Sequence, residues 1–251
     1  PPRSTLFPYT TLFRSGNLNA GLTQPSAPGY LAWLAGRGFP TAPSSYPIVD
    51  IVDDGFDNGS ASSPANSEFR ELNSGAQPSR VQYANIASGA SGIYSPNGVA
   101  GHGNINCSIV GGYNDGTVTP ANEDSAGYHY GLGVSPYGRI ASTKIFADGG
   151  AWGYPNELTM VNAQFAAGTR ISSNSWGAST YGSYDTDCQA YDGWTRDTQG
   201  GTAGHQGMLF VFAAGNDGPY SSTVGSPGGA KNVLCVGDRK STRLNSSHVS
   251  Q

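Results

Sequence analysis

Charge, cysteine and long apolar runs are all scarce in this sequence. Charged residues are only 12% of the 251, about half the usual share. Coiled coils and long exposed helices need Lys and Glu in quantity, so both are excluded. The net charge is −4, with no clustered Lys or Arg to meet a phosphate backbone, which argues against nucleic acid as a partner. No apolar run approaches the ~20 residues of a membrane span; the longest, Met208 to Ala214, is strand-sized. The three cysteines, Cys107, Cys188 and Cys235, form no C-x-x-C pair. A zinc ribbon and a disulfide-dense miniprotein are therefore excluded. Whether Cys188 and Cys235 pair is left open, and the odd count leaves at least one thiol free.

Glycine is abundant, at 37 residues, about twice the usual share. Length and apolar content suit one ordinary α/β domain, or two small ones, with a buried core. The two ends stand apart. Pro1–Ser15 and Arg239–Gln251 carry five of the 13 basic residues and no acid, and neither shows apolar periodicity. Both resemble translated sequencing-adapter DNA, so they are read as non-native and set aside. Residues 16–238 are then the domain, with 8 basic against 17 acidic residues, a net charge of −9.

Within that domain, 16–45 reads as an irregular lead-in with one apolar patch, Tyr30–Leu34, and 57–100 as loop. Ile48–Val52 is β-branched and ends in Asp53-Asp54-Gly55, a strand running into a turn. A short helix is expected over 105–110, behind His102-Gly103. Strands are expected at 139–146, 170–175, 208–214 and 231–236. Asn156 opens a helix with Leu158, Val161 and Phe165 on one face, stopped by Gly168. Residues 178–204 read as a long loop or weak helix. Apolar strands alternating with helices predict an α/β fold: a mostly parallel sheet covered on both faces. Ligands sit at the carboxyl ends of such strands. Those ends carry Asp53, then Ser175-Trp176-Gly177, then Ala213-Ala214-Gly215-Asn216.

The residue types at these ends fit acyl transfer. A buried carboxylate such as Asp53 can hold an imidazole in one tautomer and stabilise its cation. His102, flanked by Gly101 and Gly103, can take and return a proton near neutral pH. Asn216, beside Gly215, can donate to a developing oxyanion. Each residue alone has an ordinary reading: Asp53 as a turn former, His102 as a loop residue, Asn216 as a left-handed turn residue.

Taken in order, Asp53-Asp54-Gly55, Gly101-His102-Gly103, Ser175-Trp176-Gly177 and Ala213-Ala214-Gly215-Asn216 resemble the subtilisin-like serine peptidases. Gly133-Val134-Ser135-Pro136 and Ser226-Pro227-Gly228 support the likeness, which spans about Ile48 to Gly237. The resemblance implies a three-layer, doubly wound, subtilisin-like domain, incomplete on its C-terminal side. It implies that Asp53 orients the base, His102 is general base and acid, and Asn216 is the oxyanion donor. Backbone around Ser175, Trp176 and Gly177 would pair with a peptide substrate, and Ala213, Ala214 and Gly215 would wall the specificity pocket.

Three departures stand out. Asn104 replaces the family's Thr two residues after the His, and Asn106 replaces its Val four residues after. The nucleophile motif Gly-Thr-Ser-x-Ala-x-Pro does not occur in the 251 residues. The resemblance places that Ser downstream of Gly237, so the chain is expected to be a fragment without turnover. The likeness further implies a secreted enzyme acting on protein or peptide substrates. No cofactor is required. Ca²⁺ as a structural ion at Asp53–Asp57 or Asp185–Asp192 competes with the reading of solvated loops. Two other functions are kept open: an inactive relative that retains the groove, and a non-catalytic α/β binding protein using Gly101-x-Gly103 for a nucleotide.

Overall fold

The computed structural model describes residues 5–6, 29–98, 100–116, 129, 131–218 and 220–237. The set-aside segment 239–251 lies outside the described residues, as does most of 1–15. Twelve elements follow in chain order: β1 (Thr5–Leu6), α1 (Gly29–Gly36), β2 (Ile48–Asp53), β3 (Val81–Ile86), α2 (His102–Gly111), β4 (Arg139–Lys144), α3 (Glu157–Ala166), β5 (Thr169–Asn174), β6 (Trp176–Gly177), α4 (Thr186–Arg196), β7 (Leu209–Ala213) and β8 (Leu234–Val236).

Six strands form one sheet in the order β3-β4-β2-β5-β7-β8, and every pairing in it is parallel. The α/β class expected from the sequence is thus the class observed. Alternate residues of β2 face opposite layers. Ile51 packs with Phe56, Cys107 and Ile140 beneath α2. Val52 packs with Val161 of α3, Cys188 and Tyr191 of α4, and Phe210 and Phe212 of β7. Cover on both faces explains the continuous apolar run of β7. Aromatic edges close the second core: Trp176 meets Phe212 with ring centroids 5.3 Å apart, and Tyr191 meets Phe210 at 5.1 Å.

The layer over β7 and β8 is different. Phe210 and Phe212 are fully buried, but Leu209, Leu234 and Val236 are 39%, 49% and 52% exposed. The register Val211↔Leu234 and Ala213↔Val236 puts these side chains on one face, opposite the two phenylalanines.

Several local expectations change. The lead-in holds α1, whose Tyr30 and Leu34 pack on Tyr113, Leu132 and Tyr137. The expected loop 57–100 contains the edge strand β3, and 178–204 contains α4, with Asp185 capping it by accepting from the Cys188 amide at 3.0 Å. Asn156 caps α3 as expected, accepting from the Thr159 amide. The buried face of α3 is the expected one only at Val161. It consists of Met160, Val161 and Gln164, with Leu158 half exposed. Gln164 turns inward because its amide donates to the buried Asp50 carboxylate at 2.7 Å. Phe165 lies under the Arg170 guanidinium instead, 3.9 Å from the ring centroid. Among the described residues no helix is long and apolar enough to cross a membrane.

Candidate active site

The parallel sheet brings the carboxyl ends of β2, β5 and β7 to one edge as consecutive neighbours. The chain crosses from one side of β2 to the other between β4 and β5, the kind of reversal that opens a crevice at strand ends. Asp53 is the last residue of β2 and is fully buried. Its Oδ1 lies 2.7 Å from Nδ1 of His102, the first residue of α2. A carboxylate only accepts, so the imidazole presents an Nδ1–H. The His102 side chain is 14% exposed while Asp53 has no exposure. This is the pairing required of a base and its orienting acid.

Backbone geometry explains how two residues so far apart in sequence meet. Asp54 reaches across to the first turn of α2, where helix amides lack partners. Its Oδ1 accepts from the Gly103 amide at 2.6 Å and its Oδ2 from the His102 amide at 3.2 Å. A carboxylate at a helix N-terminus is favourable, so Asp54 staples α2 to the end of β2. Burial raises the Asp54 pKa, the Gly103 amide opposes that, and the neighbouring Asp53 charge adds to the rise. Gly103 is required by contact: a Cβ there would collide with the Gly55 carbonyl oxygen and stand 2.9 Å from Asp54 Oδ1.

The remaining expected site residues fall as follows. Ser175 is half-buried between β5 and β6. Trp176 is 1% exposed, its ring in the core with Trp152, Tyr191 and Phe212. Only its backbone is available at the edge, as two residues of β6. That edge is paired antiparallel with β1, Leu6 opposite Trp176 and Thr5 opposite Gly177. Ala213, Ala214 and Gly215 are partly buried at the end of β7, with Gly215 at φ +108°, and Asn216 is exposed in the turn that follows. Asn104 Oδ1 accepts from the Asp57 amide at 3.1 Å.

In the sequence Asn106 stands out only as a departure from the family pattern. It is a member of the site: its Nδ2 donates to Asp53 Oδ2 at 3.0 Å. Its spacing of four from His102 on a helix was the signal that could have found it. Cys107 is fully buried and burial pushes its thiol pKa up, which suits packing and not reactivity. All three cysteines are free. Among the described residues no three His, Cys, Asp or Glu side chains converge to hold a metal. The carboxylates proposed for Ca²⁺ are engaged with donors: Asp57 with Ala65 and Asn66, Asp185 with Cys188 and Ser226, Asp192 with Asn232 and Tyr184.

A sequence profile of the subtilase family matches residues 44–250. The chain belongs to the subtilase family. The matched span of this subtilase includes 239–250, which the sequence reading set aside. Among solved structures, the psychrophilic subtilisin-like protease Apa1 from the Antarctic psychrotroph Pseudoalteromonas sp. AS-11 aligns with it at 16% identity and a TM-score of 0.48. The alignment covers 81% of this subtilase and 38% of that protease, so the chain spans well under half the length of that relative. No curated protein matches the subtilase.

Proposed function

We propose that the chain carries the acid–base half of a serine endopeptidase, a domain that cuts peptide bonds through an acyl-enzyme. The observation behind this reading is the 2.7 Å contact between Asp53 and His102 at the carboxyl edge of the sheet. Asp53 fixes the Nδ1–H tautomer, leaving Nε2 as the base that takes a proton from a serine hydroxyl and returns it to the leaving amine. Asn216 donates to the oxyanion. The backbone of Ser175–Gly177 receives the substrate as an added strand, and Ala213–Gly215 wall the pocket for the residue before the cut. The reaction calls on side-chain acid–base chemistry and no cofactor. The substrates are proteins or peptides, and the setting is extracellular.

No Gly-Thr-Ser motif stands in the 251 residues, so on this reading the chain supplies the base without its nucleophile. The test is a fluorogenic peptide assay on the purified chain. The expected result is no turnover; turnover blocked by a serine-directed inhibitor would overturn the assignment of a missing nucleophile. The nucleotide-binding alternative is disfavoured by Asp54. The N-terminal amides of α2, where a phosphate would bind, already hold the carboxylate of Asp54.

A further inference from the structure

We infer that Asn106 is a positioning residue for the proton-carrying pair, holding the Asp53 carboxylate by the oxygen that His102 does not use. Asn106 lies one helical turn after His102 on α2, and only 9% of it is exposed. Its Nδ2 stands 3.0 Å from Asp53 Oδ2 and 3.3 Å from His102 Nδ1. Only the amide nitrogen can face an acceptor-only carboxylate, which fixes the flip of the side chain. The ring Nδ1–H faces Oδ1 of the same carboxylate. The 3.3 Å approach is therefore packing between two donors, not a bond.

The result is a fork. Two donors projecting from one helix face grip both oxygens of one carboxylate, while the Asp54 amide adds a third bond to Oδ1 at 2.8 Å. A rotation of the carboxylate about its Cβ–Cγ bond would have to break a bond at each oxygen. A valine at position 106, the residue the family resemblance expects, offers no donor. The amide also draws on the negative charge that stabilises an imidazolium at His102, so it weakens the pull of Asp53 on the proton. Among the described residues, the titratable groups beside the pair include Asp54, just after β2, and Cys107 on α2.

This inference rests on the proposed role of His102, but its test does not use peptide turnover, so the two fail separately. The ring titration of His102 is followed by NMR on the full chain with ¹³C-labelled histidine, assigned with His102→Gln. In Asn106→Leu the midpoint is expected to move to higher pH by about half a unit to one unit, the effect of removing one neutral donor from a carboxylate. In Asn106→Asp, which keeps the shape but adds a second carboxylate, the midpoint moves up further. A folded Leu variant with an unmoved midpoint, or an Asp variant that moves it no further, overturns the inference. The unsubstituted chain provides a check that needs no variant. One Asn106 Nδ2 proton is expected to shift with the His102 midpoint, and an Asn106 amide blind to that titration overturns the inference equally.

Discussion

The Asp53 carboxylate and the His102 imidazole, one ending a strand and the other opening a helix, face each other across 2.7 Å. That relationship fixes a tautomer, and the tautomer can be reversed. In Asp53→Asn an amide nitrogen can take the place of the acceptor and donate to Nδ1, which moves the ring proton to Nε2. Ring ¹⁵N shifts of His102 should then report an Nε2–H imidazole in the variant and an Nδ1–H imidazole in the parent. Identical ring shifts in both would remove the basis for the orienting role of Asp53.

Gly103 gives a steric prediction. An alanine there meets the Gly55 carbonyl, Asp54 Oδ1 at 2.9 Å and Asp53 Cβ at 3.0 Å, and two of these belong to rigid backbone or Cβ atoms. The start of α2 must move away from the end of β2. Overpacking of this kind costs about 1–3 kcal/mol. Gly103→Ala should lower the denaturation midpoint and shift the His102 ring resonances together, whereas Gly193→Ala, where a Cβ meets nothing, should do neither.

Asp50 gives a dependence on pH. It is fully buried on β2, and its Oδ2 accepts from Tyr83, Thr143 and Gln164. Desolvation raises its pKa. Oδ1 of Asp50 and Oε1 of Gln164 have no donor among the described residues. A proton on Oδ1 is available to that amide oxygen and would close a cyclic acid–amide pair. A carboxyl whose pKa is raised in the folded state holds its proton after the unfolded chain has lost it. Stability therefore falls as pH rises from the unfolded value, near 3.9, to the folded one. Asp50→Asn, which keeps an N–H for that contact, should flatten this decline in a series of urea denaturations. A parent whose stability rises across that window relative to the variant would refute the protonated state.

Much of this architecture was legible in the sequence. β2 and β7 stood out because a strand covered on both faces is rich in apolar and β-branched residues. β4 and β5, which bury Ser142, Thr143, Lys144, Ser172 and Asn174, stood out instead by their place in the alternation of strands and helices. The Asp53 and His102 positions stood out because their motifs sit at a strand end and between glycines. The rest was hidden for physical reasons. β3 lies at the edge of the sheet and carries a polar, half-exposed sequence, so it read as loop. α3 turns Gln164 inward to serve Asp50, a pairing 114 residues long that no local pattern reports. Trp176 stood out for its backbone at a strand end, but no local pattern shows that its ring belongs to the core. Asn106 broke the family pattern, and its partner became visible only when α2 was docked against β2.

The open face of β7 and β8 predicts association. Leu209, Leu234 and Val236 form an apolar strip at the end of the sheet. Among the described residues β8 is the last strand of the sheet, and exposed apolar strips at a sheet edge favour contact between copies. Light scattering of the parent should rise with concentration. Leu234→Lys with Val236→Lys should suppress that rise with little change in the denaturation midpoint, since both side chains are about half exposed. Phe212→Ala, in β7 on the opposite face of the sheet, should instead destabilise by about 3–5 kcal/mol.

The short pairing of Thr5–Leu6 against Trp176–Gly177 has a bearing on any binding experiment. In the substrate mode proposed above, an incoming peptide seeking those main-chain groups meets a tethered rival, and a tether keeps its local concentration constant however dilute the sample. Measured affinity is then scaled down by the share of molecules in which the rival has let go. A chain beginning after Ser15 escapes that competition, and comparing the two lengths weighs the docking strength of the segment directly.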